Sequence, residues 1–218
     1  MRGAVCIRPA SLPSGSSRRY CTALFRPAEA AIKVVSINTA AVQDLLTAQG
    51  LVPSAIRKQP CEGRVTVGEL GLAGDEQADP RYHGGPAKAV YAYPQEHYEF
   101  WRTVRAQAKV DGELSSGGLG ENLTLSGLLE AQVWQGDVLR FPDCELVVSE
   151  PRQPCFKFNA VMGFSQASKM MVQSGFCGFY LAVKRPGTLA AGEAFELLPG
   201  PREVGIREWF RAKMSGKA

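Results

Sequence analysis

Residues 138–149 read VLRFPDCELVVS, and the fold expected for the whole chain repeats the pattern of this segment. Two short runs rich in apolar and β-branched residues, 138–141 and 145–149, flank a Pro-Asp pair, which is typical of two strands joined by a tight turn. Pro142 presets the backbone φ angle of a turn, and Asp143 can accept hydrogen bonds from the backbone beyond it. The segment therefore predicts a β-hairpin.

The chain from Ile32 onward consists largely of similar short runs separated by Gly, Pro and Asp. Further strands are predicted over 32–37, 64–67, 89–93, 122–125, 176–184 and 194–198. Many short strands with close turns are typical of a small closed barrel. We therefore predict a mainly β protein with inserted helices, closed into a β-barrel.

Three helices are predicted as inserts or as a terminal element. The first begins near Pro94, because proline is favoured in a first helical turn and the apolar residues that follow have near-helical spacing. The second covers 165–174, with Gly175 placed to end it. The third covers 204–214 and is the terminal helix.

The charge of the chain is unevenly distributed. The first 31 residues carry five arginines against Glu29 alone. Subtracting these from the 25 basic and 21 acidic residues of the chain leaves 20 of each in the rest. A neutral body lacks the basic surface that nucleic-acid binding requires, so no nucleic-acid partner is expected. No membrane is expected either, because no stretch approaches the roughly 20 apolar residues of a transmembrane helix.

The N-terminal segment is rich in Arg, Ser and Pro and lacks the apolar core of a secretory signal. We expect residues 1–31 to be a disordered extension, and residues 32–218 to form one domain that ends in a short helix. Three origins of the extension stay open: a mitochondrial transit peptide, a misassigned start or a natural tail. The expected location is cytoplasmic, or mitochondrial if residues 1–31 are a transit peptide.

Cys155 is the first candidate for chemistry. It follows Pro154 and lies between two cations, Arg152 and Lys157. Neighbouring cations lower the pKa of a thiol from about 8.5, so that the thiolate can act as a nucleophile or as a metal ligand. The other body cysteines, Cys61, Cys144 and Cys177, lack such flanking charges and are interpreted as small hydrophobic residues.

A second candidate site follows Gly74-Asp75. Residues 81–88 read RYHGGPAK, and Gly84-Gly85 permits close approach of the backbone to an anion. Arg81, His83 and Lys88 can supply positive charge, so the segment resembles a phosphate cradle. The alternative is an ordinary tight loop.

Asn122 is the third candidate, because its side chain offers donors and an acceptor after a glycine-rich approach. The alternative is that Asn122 only bonds its own turn. His97 lies in the predicted aromatic helix and is interpreted as a packed or surface residue.

Five motifs occur in order along the chain and together resemble the MOSC family, the molybdenum-cofactor sulfurase C-terminal domain, and its YiiM-like bacterial members. They are GLAGD (71–75), HGGP (83–86), GENL (120–123), GD (136–137) and PRQPC (151–155). The resemblance extends from about Ile32 to Pro199. It implies a MOSC-type β-barrel that binds the molybdenum cofactor.

The resemblance also implies the roles of individual residues. Cys155 would be the sulfur ligand of molybdenum, and Cys155, Asn122 and His83 would be the catalytic residues. The residues implied to bind the cofactor are Arg81, His83, Gly84, Gly85, Lys88, Asn122, Arg152 and Lys157. Lys88 departs from the family, which commonly has Arg here, so a bidentate contact would become a point charge. Pyridoxal phosphate binding is not expected.

Three functions stay open at this point. The first is a molybdoenzyme that reduces N-hydroxylated small molecules such as hydroxylaminopurines. It would need an external electron donor, for example a flavoprotein reductase, because the sequence has neither a flavin fingerprint nor an iron–sulfur cysteine cluster. The second is a carrier of the molybdenum cofactor or of persulfide sulfur on Cys155 without turnover. The third is a thiol enzyme or thiol-based binding module that uses no metal.

Overall fold

The structure is a computed structural model, and it describes residues 31–80 and 84–216. The expected extension lies outside the described residues except for Ala31. Arg81 and His83 also lie outside them.

The described residues form mostly short strands, with four helices between or after them. The strands are β1 Lys33–Thr39, β2 Gln43–Thr47, β3 Gly50–Ser54, β4 Gln59–Pro60, β5 Arg64–Gly68, β6 Gly71–Leu72, β7 Val90–Pro94, β8 Leu123–Ser126, β9 Val138–Arg140, β10 Glu145–Pro151, β11 Phe179–Arg185, β12 Gly187–Ala190 and β13 Glu196–Leu198. The helices are α1 Tyr98–Gln107, α2 Phe156–Met162, α3 Ala167–Ser174 and α4 Ile206–Met214. Single 3₁₀ turns cover Pro86–Lys88, Gln95–His97 and Glu130–Gln132. The prediction of a mainly β protein with inserted helices is confirmed.

The strands belong to three sheets. The largest has the order β13-β9-β10-β11-β7-β8-β1-β4, the second β12-β5-β6, and the third is the β2-β3 hairpin. Pairing is antiparallel except between β7 and β8, which run parallel. Among the helices of the described residues, none combines the length and the apolar character that crossing a bilayer requires.

Strand β1, next to the last strand of the largest sheet, forms backbone hydrogen bonds with the chain beside the opposite end. The Val34 N–H donates to the carbonyl of Glu193 over 3.0 Å, and the Gly192 N–H donates to the carbonyl of Val34 over 2.8 Å. Residues 192–195 lead directly into β13, so β1 contacts the chain next to the opposite end of the sheet. The strand order itself is open, and closure into a barrel stays a prediction.

The hairpin predicted at 138–149 is confirmed. Strands β9 and β10 pair antiparallel, and the Phe141 N–H donates to the Cys144 carbonyl over 3.0 Å across the turn. Asp143 has a different partner from the one expected. Its carboxylate accepts from the backbone N–H and the hydroxyl of Thr188, 2.9 and 2.7 Å away, and so fixes β12 against the turn.

Two apolar clusters hold the sheets and helices together. One joins the large sheet to the second sheet and contains residues such as Val34, Val67 and Leu181. The other packs α1, α2 and α3 against β7 and includes Trp101 and Phe158, both fully buried. Each fully buried large apolar side chain stabilises the fold by about 1.5–3 kcal/mol. The second cluster therefore fixes α2, the helix that begins directly after Cys155.

The helices agree with the predicted inserts, with shifted starts. Helix α3 ends where expected, and Gly175 follows it in the left-handed region with φ of 75°. Helix α1 begins at Tyr98 because Pro94 is the last residue of β7 and a 3₁₀ turn intervenes. Helix α2 and the β2-β3 hairpin were not predicted.

Candidate functional site

One cavity brings together five of the predicted site residues. Lys88, Asn122, Arg152, Cys155 and Lys157 all line it. Its other lining residues are Ser54, Ala55, Ile56, Lys58, Asp75, Glu76, Gln77, Ala78, Asp79, Ala89, Tyr91, Gly120 and Tyr180. Residues far apart in the chain thus form one site.

Cys155 lies at the junction between β10 and α2. It is the residue before the first turn of α2, with extended backbone angles of φ −129° and ψ 170°. Its carbonyl accepts from the Phe158 N–H over 2.9 Å and from the Ser168 hydroxyl over 3.2 Å. These bonds fix the backbone of Cys155, and the residue is partly exposed where it lines the cavity.

Arg152 is a buried cation surrounded by aromatic rings. Only 4% of the residue is exposed, and its guanidinium lies 4.6 Å from the ring centre of Phe158 and 5.2 Å from that of Tyr91. Burial alone would lower the pKa of the guanidinium, but Tyr91, Tyr180 and Cys155 together outweigh it and raise the pKa. Arg152 is therefore a permanently charged group in the wall of the cavity.

Two lysines add positive charge to the same wall. The Lys88 ammonium lies 3.7 Å from the Glu150 carboxylate and 5.8 Å from the ring centre of Tyr180. The Lys157 ammonium donates to the carbonyl of Pro53 over 2.8 Å, which links α2 to the β2-β3 hairpin.

Asn122 does not merely bond its own turn. Its side-chain amide donates to the Asp75 carboxylate over 2.8 Å and to the Asn38 carbonyl over 3.2 Å. Its amide oxygen accepts from the Tyr91 N–H over 3.0 Å. Asn122 therefore connects β1, β7 and the Asp75 segment at the cavity.

The residue before Asn122 is a fully buried carboxylate. Glu121 accepts hydrogen bonds from the Tyr98 hydroxyl, from the Thr124 hydroxyl at 2.7 Å and from the Gly117 N–H at 2.8 Å. Burial raises the pKa of Glu121, and these donors partly offset the rise. The contacts order the glycine-rich segment that leads to Asn122.

Lys58 and Asp75 form a buried ion pair in the cavity wall. Their side chains are only 8% and 7% exposed, and the ammonium contacts one carboxylate oxygen directly. The same oxygen accepts from the Ala40 N–H over 2.9 Å. Burial lowers the pKa of Lys58, although Asp75 opposes the change. Sequence reasoning singled out Asp75 but missed Lys58, because no local pattern marks a pair 17 positions apart.

The Gly84-Gly85 segment lies beside the cavity and packs on Gln77. The Gly85 N–H donates to the side-chain oxygen of Gln77 over 2.9 Å, so this donor is already used within the protein. A Cβ atom at Gly84 would fall within 3.0 Å of the same oxygen. A side chain at position 84 would therefore displace the end of the Gln77 side chain, and Gln77 itself lines the cavity.

Residues outside the site behave mostly as predicted. His97 is buried, stacks on Phe176 at 3.8 Å between ring centres and pairs with Glu130 over 2.8 Å, which confirms a packed residue. Cys144 and Cys177 are buried, as expected of small hydrophobic residues. Burial raises the pKa of Cys144 to about 11. Cys61 is only partly buried.

The fold and the site define a class of mainly β domains that have a cysteine and a buried cation at one cavity. Within that class, the MOSC domain model matches residues 79–196, which include Asn122, Arg152 and Cys155. The chain belongs to the MOSC domain family.

Relatives and solved structures agree with this assignment. The chain is 38% identical over 157 residues to protein YiiM of Escherichia coli K12, covering 72% of this chain and 69% of YiiM. It is 38% identical over 182 residues to the uncharacterized protein YflK of Bacillus subtilis, covering 84% and 80%. The crystal structure of YiiM from Geobacillus stearothermophilus superposes with a TM-score of 0.68 at 29% identity, covering 85% of each chain. The prediction of a YiiM-like MOSC protein is confirmed.

A third relative is much longer than this chain. It is a protein of Gibberella moniliformis named "Reductase", 36% identical over 154 residues that make up 70% of this chain but 27% of the fungal protein.

Proposed function

We propose that the chain binds a molybdenum cofactor in this cavity and reduces N-hydroxylated small molecules there. One observation carries the proposal: Cys155 and the buried cation Arg152 line the same cavity. A soft thiolate is a suitable ligand for a transition metal, and cations suit an anionic phosphate.

The donor set of the cavity fits such a group. In the described part of the chain Arg152 has aromatic and thioether neighbours but no carboxylate in an ion pair. A buried charge without a counter-ion is costly, and an anionic ligand would compensate it. Lys88 and Lys157 would add charge for the phosphate, and Arg81 and His83 remain proposed contributors.

Residues near the Asn122–Asp75 contact would border the substrate. When bound, the cofactor would supply the two electrons of the reduction, and an external donor such as a flavoprotein reductase would replace them. The printed name "Reductase" of one relative supports a redox role, and the matched segment makes up 27% of that protein.

We also propose that residues 32–218 are one MOSC domain whose large sheet closes into a barrel. The hydrogen bonds from β1 to residues 192–195 support closure, because they join the strand to the chain beside β13.

The proposal is tested by the molybdenum content of Cys155→Ala made in a host that synthesises the cofactor. We expect about one molybdenum per wild-type chain and near-complete loss in the variant, because the thiolate is the proposed ligand. Cys61→Ala is the matched control, since Cys61 is also partly buried but does not line this cavity, and it should retain molybdenum.

Two results would contradict the proposal. If wild-type protein made in that host contained no molybdenum, the chain would not bind the cofactor as proposed. Protein with molybdenum but no turnover of N-hydroxylated bases with an artificial reductant would favour carriage of the cofactor over catalysis.

A further inference from the structure

The Lys58–Asp75 pair lies in the cavity wall but has no part in holding the cofactor as proposed above. Asp75 is fixed on both oxygens, because one accepts from Ala40 and Lys58 and the other from Asn122. The carboxylate therefore orients the Lys58 ammonium within the wall that also contains Cys155.

The proposed reaction needs a proton donor in the cavity. Reduction of a hydroxylamine, R–NH–OH + 2 e⁻ + 2 H⁺ → R–NH₂ + H₂O, breaks the N–O bond and releases the oxygen as water. The two electrons come from the external donor, and the departing oxygen needs a proton because hydroxide is a poor leaving group. Proton transfer from a positioned side chain typically contributes about 10²–10⁴-fold in rate.

Lys58 is suited to this task, because Asp75 holds its ammonium in the cavity wall. Arg152 is always protonated and cannot serve as an acid. Asp75 and Glu121 lie near Lys58 and favour its ammonium form, and so does Cys61. Burial outweighs them and lowers the pKa of Lys58, which makes the ammonium a stronger acid nearer to neutral pH.

We infer that Lys58 is a catalytic residue that donates a proton to the leaving oxygen of the substrate, with Asp75 as the residue that positions it. This inference rests on the proposed function. The second proton of the reaction would reach the substrate nitrogen from solvent. Solvent would also restore the proton of Lys58 after water leaves, so Lys58 returns to the ammonium form in each cycle.

The decisive comparison is between Lys58→Arg and Lys58→Met in molybdenum-loaded protein with a chemical reductant. Arginine keeps the charge opposite Asp75 but is a very weak acid. We expect kcat to fall about 100-fold or more in both variants, with molybdenum content unchanged in Lys58→Arg. Lys184→Arg is the control, because Lys184 forms an exposed pair with Glu145 at 3.2 Å and should behave as wild type.

The pH dependence of kcat and an NMR titration distinguish a proton-donating role of Lys58 from a purely structural role. Wild-type kcat should fall as pH rises through the lowered pKa of Lys58, and Lys58→Met should lack this decrease. In cofactor-free protein labelled with ¹³Cε-lysine, the Lys58 signal is identified as the one that disappears in Lys58→Met. This signal should titrate with a pKa below the ordinary lysine value of 10.5.

Each alternative outcome is decisive. Activity of Lys58→Arg within threefold of wild type, or a Lys58 signal that titrates at the ordinary value, would overturn the inference alone. A wild-type protein loaded with molybdenum but inactive would overturn the proposed function and this inference with it.

Discussion

Arg152 is a single residue whose buried charge carries a cost to folding. The residue is 4% exposed, and its guanidinium lies over the rings of Phe158 and Tyr91. Moving a charge out of water costs several kcal/mol, and aromatic contacts return only about 2 kcal/mol each. A group retained under these conditions is expected to be paired with a ligand.

We predict that Arg152→Met abolishes cofactor retention and leaves the unfolding free energy within about 1 kcal/mol of wild type, or raises it, because apolar replacements of buried charges are often neutral or stabilising. Molybdenum content and denaturant unfolding of cofactor-free protein measure the two effects. Arg102→Met is the control, since Arg102 lies 5.6 Å from the Tyr98 ring centre but is about half exposed. A strongly destabilised Arg152→Met would instead make Arg152 a structural residue.

At the scale of elements, the start of β11 connects the sheet to the site. Gly178 precedes β11 with φ of 63°, and its N–H donates to the buried Glu130 carboxylate over 2.7 Å. A Cβ atom there would come within 3.0 Å of the Ala92 carbonyl and the Tyr91 ring. Tyr91 lines the cavity, so the packing of β11 on β7 also shapes the site.

Gly178→Ala is therefore expected to be much more damaging than Gly175→Ala. Both glycines have positive φ, which costs an L-residue roughly 1–2 kcal/mol. Only Gly178 adds a steric clash, because nothing lies within 4 Å of a Cβ at Gly175, and overpacking costs about 1–3 kcal/mol more. Thermal and denaturant unfolding of the two variants test the difference. Equal losses of stability would mean that the backbone relaxes around the added methyl group.

The elements differ in how far the sequence could specify them. Strands such as β9 and β10 were predictable because their apolar runs and turn residues are local. The β2-β3 hairpin carries exposed leucines, Leu46 and Leu51, and a proline inside β3, so it lacks the alternation of a half-buried strand. Helix α2 has only seven residues, too few for a clear periodicity.

The same distinction applies to the candidate site. Arg152 and Cys155 were predicted because the Arg152 cation and the Cys155 thiol are close in sequence. Lys58 was not found, because its partner Asp75 is brought to it by the fold, and burial rather than sequence context alters its pKa. Nonlocal contacts of this kind leave no local pattern.

At the scale of the molecule, the body of the chain has equal numbers of basic and acidic residues. Within the cavity, however, the cations and the carboxylates lie on different segments. Lys88, Arg152 and Lys157 supply cations from the 3₁₀ turn, the segment after β10 and α2. The segment after β6 supplies carboxylates, Asp75, Glu76 and Asp79, and Asp75 forms an ion pair with Lys58. An anionic cofactor end is therefore expected at the basic residues, which leaves the acidic segment to face the substrate.

This division predicts a preference for the charge of the substrate. Between two N-hydroxylated compounds of similar size, one cationic and one anionic, kcat/KM should favour the cation roughly five- to tenfold, which corresponds to about 1–1.4 kcal/mol. Glu76→Gln combined with Asp79→Asn should reduce the preference towards unity, because it removes two carboxylates and keeps the side-chain shapes. Added salt should also weaken it in wild type, since Glu76 is exposed and its charge is screened by ions. An unchanged preference in the double variant would place the substrate away from the acidic segment and reverse the orientation of the ligand in the cavity.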